Sequence, residues 1–222
     1  MGTVLAMKMK LIAAVVIAAL TACGPLSEGS TSGQIVGLVT ARVVRAPPPA
    51  PAGLGVSQEQ VLANPGTYMR VNIRNLNQWD TFAQAGQNGA RVTWVNGRNL
   101  SLTLEDGIMV ATRGLPRDLM GADASGTVRA IRAGGGNSQR THEYLTDLDG
   151  ISPRLLQCRI ASKGPETIER LQNALISVRF EEECEGEELR FTNIYWVNRA
   201  GLIIRSLQAV SPDAGYLQID VF

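Results

Sequence analysis

Between residues 99 and 105, Leu100, Leu102 and Leu104 alternate strictly with Ser101 and Thr103. A period of two places the leucines on one face of an extended strand and the hydroxyls on the other. Asn96-Gly97 precedes this run and Asp106-Gly107 follows it. Both dipeptides accept the positive φ angles of tight hairpin turns, so a strand is expected on either side. Residues 91–95, 99–105 and 108–113 therefore read as a three-stranded antiparallel meander.

The same pattern returns near the C-terminus. Residues 175–183, 189–197, 202–210 and 216–221 are strand candidates. Glu185-Gly186-Glu187, Asn198-Arg199-Ala200-Gly201 and Ser211-Pro212-Asp213-Ala214-Gly215 separate them with turn-forming side chains. Long helical periodicity is missing from the pattern. One short helix is expected over Gln58–Ala63, with Ser57 and Gln60 as a capping box and Asn64-Pro65-Gly66 as the stop. The fold class is all-β: an antiparallel meander closing into a barrel-like or sandwich domain. A barrel is favoured because closure hides the strand edges.

Ahead of this domain, Lys8 and Lys10 precede an apolar run at 11–20, followed by Leu20-Thr21-Ala22-Cys23-Gly24. The run is about half the roughly 20 residues a spanning helix needs, and it ends in small residues, which describes a secretory signal. Met7 or Met9 as the start would give a more usual charged region. Leu20-Thr21-Ala22-Cys23 resembles the lipobox of bacterial lipoproteins, so cleavage before Cys23 and acylation of its thiol are expected. Several acyl chains, palmitate among them, anchor a protein durably. Gly24 stands where aspartate would retain a lipoprotein in the inner membrane, so outer-membrane attachment facing the periplasm is expected. The organisation reads as a signal over 1–22, an anchor and Pro/Gly/Ser-rich tether over 23–56, and a β-rich domain over 57–222. Within the tether, Pro47-Pro48-Pro49-Ala50-Pro51 is an extended spacer.

Loss of the signal removes two lysines from a chain of net charge +1, leaving −1. Such a balance provides no electrostatic footprint for nucleic acid. The mature chain keeps Cys158 and Cys184, an even pair that reads as a disulfide in an oxidising periplasm. Leu156, Cys158 and Ile160 share one strand face; Ile176, Val178, Phe180 and Cys184 share another. Two separate reduced thiols are the alternative, because sequence does not give distance.

No catalytic motif, metal site or cofactor site emerges. His142 is the sole histidine, without a nucleophile elbow, and reads as a solvated or hydrogen-bonded structural residue. Gly134-Gly135-Gly136-Asn137-Ser138 lacks a Walker lysine and reads as a mobile loop. The acidic cluster at 181–188 reads as a solvated hairpin end. Trp94, Tyr195 and Trp196 are possible glycan contacts, with Trp79 placed in a loop; burial in the core is the alternative for each.

The motifs taken together resemble the YjbF/GfcB family of group 4 capsule polysaccharide lipoproteins. The resemblance rests on the lipobox, on Thr93-Trp94, and on the stretch from Asp106-Gly107-Ile108 through Thr112-Arg113-Gly114-Leu115 to Asp118-Leu119. It continues with Cys184, Phe191-Thr192-Asn193-Ile194-Tyr195-Trp196-Val197, Gly201 and Arg205-Ser206-Leu207-Gln208. The long Pro/Ala spacer and the run at Gly134 depart from the pattern. The resemblance implies a barrel-like lipoprotein without catalytic residues, working with capsule or exopolysaccharide assembly and export proteins, or with polysaccharide itself. It also supports the Cys158–Cys184 pairing. A periplasmic carbohydrate-binding module and a polysaccharide-modifying enzyme are the competing functions. Cells grown with radiolabelled palmitate are expected to label the chain, and Cys23→Ala is expected to abolish the label.

Overall fold

The computed structural model describes residues 55–222 except 171 and 172. The expected signal, the lipid site at Cys23 and the proline run lie outside the described residues. Helix α1 (Gln58–Ala63) opens on the expected capping box. Gln60 N donates to Ser57 Oγ at 3.2 Å, and Ser57 N donates to Gln60 Oε1 at 2.8 Å. Two backbone donors at the helix start are thereby satisfied.

Strands β1 (Tyr68–Ile73), β2 (Gln78–Asn88), β3 (Arg91–Val95), β4 (Ser101–Glu105) and β5 (Ile108–Arg113) form the first arm of the sheet. After β6 (Gly121–Asp123) and helix α2 (Ser125–Arg132) come β7 (Gly135–Leu145), β8 (Ile151–Arg170) and β9 (Asn173–Glu185). The chain ends with β10 (Arg190–Val197), β11 (Ile203–Ser211) and β12 (Gly215–Val221). The strand order is β5-β4-β3-β2-β1-β12-β11-β10-β9-β8-β7-β6. Strand β1 lies antiparallel to β12, from Met69 opposite Val221 to Ile73 opposite Leu217, and this pairing joins the two arms.

The two remaining edges, β5 and β6, are consecutive in the chain, and the segment between them bridges the gap. Thr112 N donates to Leu119 O at 2.9 Å, and Met120 N donates to Glu143 O at 2.8 Å. The sheet is therefore nearly closed into a barrel, which leaves few unpaired edge groups. Asp118 shapes the seam by accepting hydrogen bonds from Gly114 N, Leu115 N and Thr112 Oγ1. Gly114 is required there: its φ is +91°, and a Cβ would stand 2.9 Å from Leu100 Cδ2 and 3.1 Å from Asn99 O.

The expected β4–β5 turn forms as read. Asp106 and Gly107 have φ of 50° and 84°, with Glu105 opposite Ile108. The β3–β4 connection differs. Asn96 Oδ1 accepts from the backbone N of Arg98 and of Leu100, so the loop is longer and the left-handed residue is Asn99. An asparagine side chain standing in for a backbone acceptor builds a turn that a two-residue loop does not need.

Three other readings are corrected. Trp79 lies in β2 rather than in a loop, because β2 is an eleven-residue strand. Gly135 and Gly136 begin β7, opposite Ala161 and Ile160, rather than forming a mobile loop. Their φ angles of 137° and 140° are ones that glycine adopts readily, which lets the chain leave α2 directly into the sheet. Ile176 and Val178 hold the expected parity with Phe180 but are exposed, whereas Phe180 is buried.

The inner face carries Met69, Val71, Phe82, Leu102, Leu217 and Ile219 in one apolar cluster. Ile108, Val110, Leu156, Ile160 and Phe180 form another around the cysteines. Cys158 and Cys184 face each other across β8 and β9 and are joined in a disulfide. Tying two positions 26 residues apart restricts the unfolded chain. Replacing both cysteines by alanine is expected to lower stability by about 3 kcal/mol. Denaturant midpoints of the two proteins measure this.

Candidate functional site

At the middle of the barrel the inner face is polar. Strand β7 directs Arg140, His142 and Tyr144 inward by its period of two, and all three are buried. Glu182 enters from β9, with Phe180 and Cys184 as its inward neighbours. Asn193 and Tyr195 enter from β10, and Thr127 from α2. Arg140, His142, Glu182, Asn193 and Tyr195 are at most 1% exposed.

An ion pair removed from water must recover its hydration from neighbours. Glu182 does so by accepting four hydrogen bonds. Oε2 receives Arg140 Nη1 at 3.2 Å, Asn193 Nδ2 at 2.7 Å and Tyr195 Oη at 2.7 Å. Oε1 receives the hydroxyl of Thr127. Arg140 also donates from Nη1 to Tyr195 Oη at 3.3 Å, from Nη2 to Met109 O at 3.0 Å, and from Nε to His142 Nε2 at 2.8 Å.

A guanidinium has no acceptor, so His142 Nε2 must offer its lone pair. The ring proton is thereby placed on Nδ1, which donates to Tyr144 Oη at 2.9 Å. Tyr144 Oη donates onward to Val210 O at 2.7 Å. The imidazole stacks on Phe191 with ring centres 5.2 Å apart. Burial first, and then the Arg140 charge, holds the imidazole well below its ordinary pKa. Burial also opposes the charge on Arg140, but Glu182 and Tyr195 outweigh it and hold the guanidinium above its ordinary value. Burial and Glu182 push Tyr195 well above the usual phenol range, and burial pushes Tyr144 up to about 12.

Strand β11 extends the network. Gln208 Oε1 accepts from Met109 N at 2.8 Å, while Gln208 Nε2 donates to Gly107 O and to Ser206 Oγ. Asn193 Oδ1 accepts from Ala209 N at 2.8 Å. Elements on opposite sides of the barrel are thus tied through its interior.

Among the expected contacts, Tyr195 belongs to this interior and presents no surface to a glycan. Trp94 is 5% exposed and forms part of a hollow of about 360 Å³ with Val92, Leu104, Val128 and Ile131. Trp196 is half-buried, with the Arg179 guanidinium 5.9 Å from its ring centre. His142 is hydrogen-bonded but not solvated, since the barrel encloses it. The acidic cluster also needs correction: Glu182 points inward while Glu183 and Glu185 point to solvent. Cys158, Cys184 and Glu182 bring potential metal ligands together, but the disulfide removes the thiolates that would bind an ion.

Arg140 and Thr127 were not singled out from sequence; Asn193 and Gln208 entered only as parts of the family blocks, and Glu182 only within the acidic cluster. Parity carried the missing signal for Glu182, which stands between the inward Phe180 and Cys184. Arg140 likewise shares a face with His142 and Tyr144.

The family described as "Group 4 capsule polysaccharide lipoprotein gfcB, YjbF" matches residues 42–222. No curated protein matches the chain. The crystal structure of the hypothetical lipoprotein YmcC from Escherichia coli K12 is similar in fold, with a TM-score of 0.65 and 18% sequence identity. The likeness covers 87% of this chain and 96% of that one.

Arg140→Met removes the cation facing a buried carboxylate and is expected to cost about 3–5 kcal/mol in chemical denaturation. Adding Glu182→Leu is expected to recover much of that loss. His142 has a depressed folded pKa, so the unfolded chain takes up its proton first as pH falls. Its contribution is therefore intact above the unfolded value of about 6.5 and lost progressively below it. A decrease of about 1 kcal/mol by pH 5.5 is expected, and a flatter profile in His142→Gln.

Proposed function

The chain belongs to the group 4 capsule polysaccharide lipoprotein family, and from that membership we propose a non-enzymatic accessory role in assembling or exporting surface polysaccharide. The match over residues 42–222 carries this reading. It covers the whole described barrel, so the polysaccharide connection attaches to the domain itself. The non-enzymatic part draws support from the interior network. His142, Glu182 and Tyr195, residue types able to serve as general acids or bases, are buried in one network linked through Arg140. A general acid or base must reach substrate within hydrogen-bond distance.

The anchor completes the proposal. Lipid on Cys23 holds the domain at the outer membrane, facing the periplasm, beside an export assembly. Confinement of that kind raises effective concentration, so weak contacts with assembly proteins or polysaccharide suffice. Among the described residues no helix is long and apolar enough to cross a membrane.

Deletion of the gene is expected to reduce surface polysaccharide severalfold, measured as cell-bound uronic acid or total hexose. Cys23→Ala, expressed at the normal level, is expected to reproduce the loss. Unchanged polysaccharide in the deletion strain under producing conditions would refute the role.

A further inference from the structure

We propose that a trough across the outer faces of β7, β8, β9 and β10 is a binding site for a glycan chain; this deepens the polysaccharide role proposed above and rests on it. The strand register builds the trough. One row of outward side chains includes Asn137, Arg159 and Glu183, placed opposite one another on successive strands. The next row includes Gln139, Gln157, Glu185 and Arg190. Rows two residues apart along a strand stand about 7 Å apart, and four strands span about 14 Å. That is a slot for a few sugar residues laid across the strands.

The hollow between the rows is about 600 Å³, with Cys158, Cys184 and Phe191 among the residues beneath it. At Asn137 and Gln157 it meets a second hollow of about 640 Å³, which runs beside α2 past Arg129, Gly135 and Gly136. The space above Gly136 is open, with nothing within 4 Å of where a Cβ would stand. A ring can therefore approach the backbone there.

The side chains select the ligand class. Two ion pairs, Arg159 with Glu183 and Arg190 with Glu185, neutralise each other across the strands. The trough therefore does not present the unbalanced positive field that nucleic acid requires. Asn137, Gln139 and Gln157 are exposed, and none of their amides has a hydrogen-bond partner among the described residues. Each amide offers donors and an acceptor together, which matches the adjacent hydroxyls of a sugar. Arg129 lines the second hollow, exposed, within electrostatic reach of Asp123 but in no close ion pair among the described residues. It would meet a carboxylate if the glycan is acidic.

The test is titration of the full chain in detergent micelles, followed by calorimetry and ligand-observed NMR. The probes are oligosaccharides released from the producing strain's surface polysaccharide, cellohexaose as a neutral chain, and hexagalacturonate as an acidic one. Saturable binding of at least one probe is expected, weakened at least about tenfold by Asn137→Ala with Gln157→Ala. Arg129→Ala is expected to weaken an acidic probe alone. Both amides are exposed and unpartnered, so an unchanged unfolding midpoint is expected, and Gln157→Ala alone provides a milder check. Absence of saturable binding to every probe at 10 mM, roughly ten times the concentration of a millimolar Kd, overturns the site. Equal binding by the double variant and the parent also overturns it. The deletion strain decides the accessory role separately, because polysaccharide loss there does not depend on the titration.

Discussion

The barrel is organised around a buried cation facing a buried anion. Arg140 and Glu182 are both enclosed, with neither side chain exposed to bulk solvent. Such a pair is tolerated only when surrounding dipoles replace hydration. Here β5 supplies the Met109 carbonyl, α2 the Thr127 hydroxyl, β7 the His142 lone pair, and β10 the Asn193 amide and Tyr195 hydroxyl. Each donor or acceptor must be on its own element at the right register. The network therefore penalises slipped strand pairings more sharply than an apolar core would, because a one-residue slip turns every inward side chain to solvent.

Several of the blocks that carry the family resemblance acquire a physical meaning from this arrangement. Asn193 and Tyr195 in the β10 block hold Glu182, while Gln208 in the β11 block fastens β11 to the backbone of β5. Gly114 and Asp118, in the block following β5, form the seam that brings the two sheet edges together. These residues maintain closure and register. In this chain, residues within the blocks that carry the resemblance are thus ones that hold the barrel shut.

Inside and outside divide the chemistry. The inner face holds the groups with strongly shifted titration behaviour, and they are locked against one another. The outer face of β7 to β10 holds alternating charges and unpartnered amides that water or a ligand can reach.

Alternation made much of the sheet legible in the sequence. Leu100, Leu102 and Leu104, the Asp106-Gly107 turn and the C-terminal strand series lie in strands and turns within one or two residues of expectation, because period-two patterning and positive-φ turns are local properties. Strand β7 was not legible: its inward side chains are Arg140, His142 and Tyr144, and polar inward residues erase the contrast between faces. Helix α2 is only eight residues long, too short for its periodicity to stand out. The cysteines illustrate the boundary. Their parity is written in the sequence, but that Cys158 stands opposite Cys184 depends on the β8–β9 register, as the meeting of Arg140 with Glu182 depends on β7 reaching across to β9. The sequence by itself determined an all-β class, the Asp106-Gly107 turn and the positions of the C-terminal strands. Only the tertiary structure decided which faces meet and how the edges close, because those pairings join residues far apart along the chain.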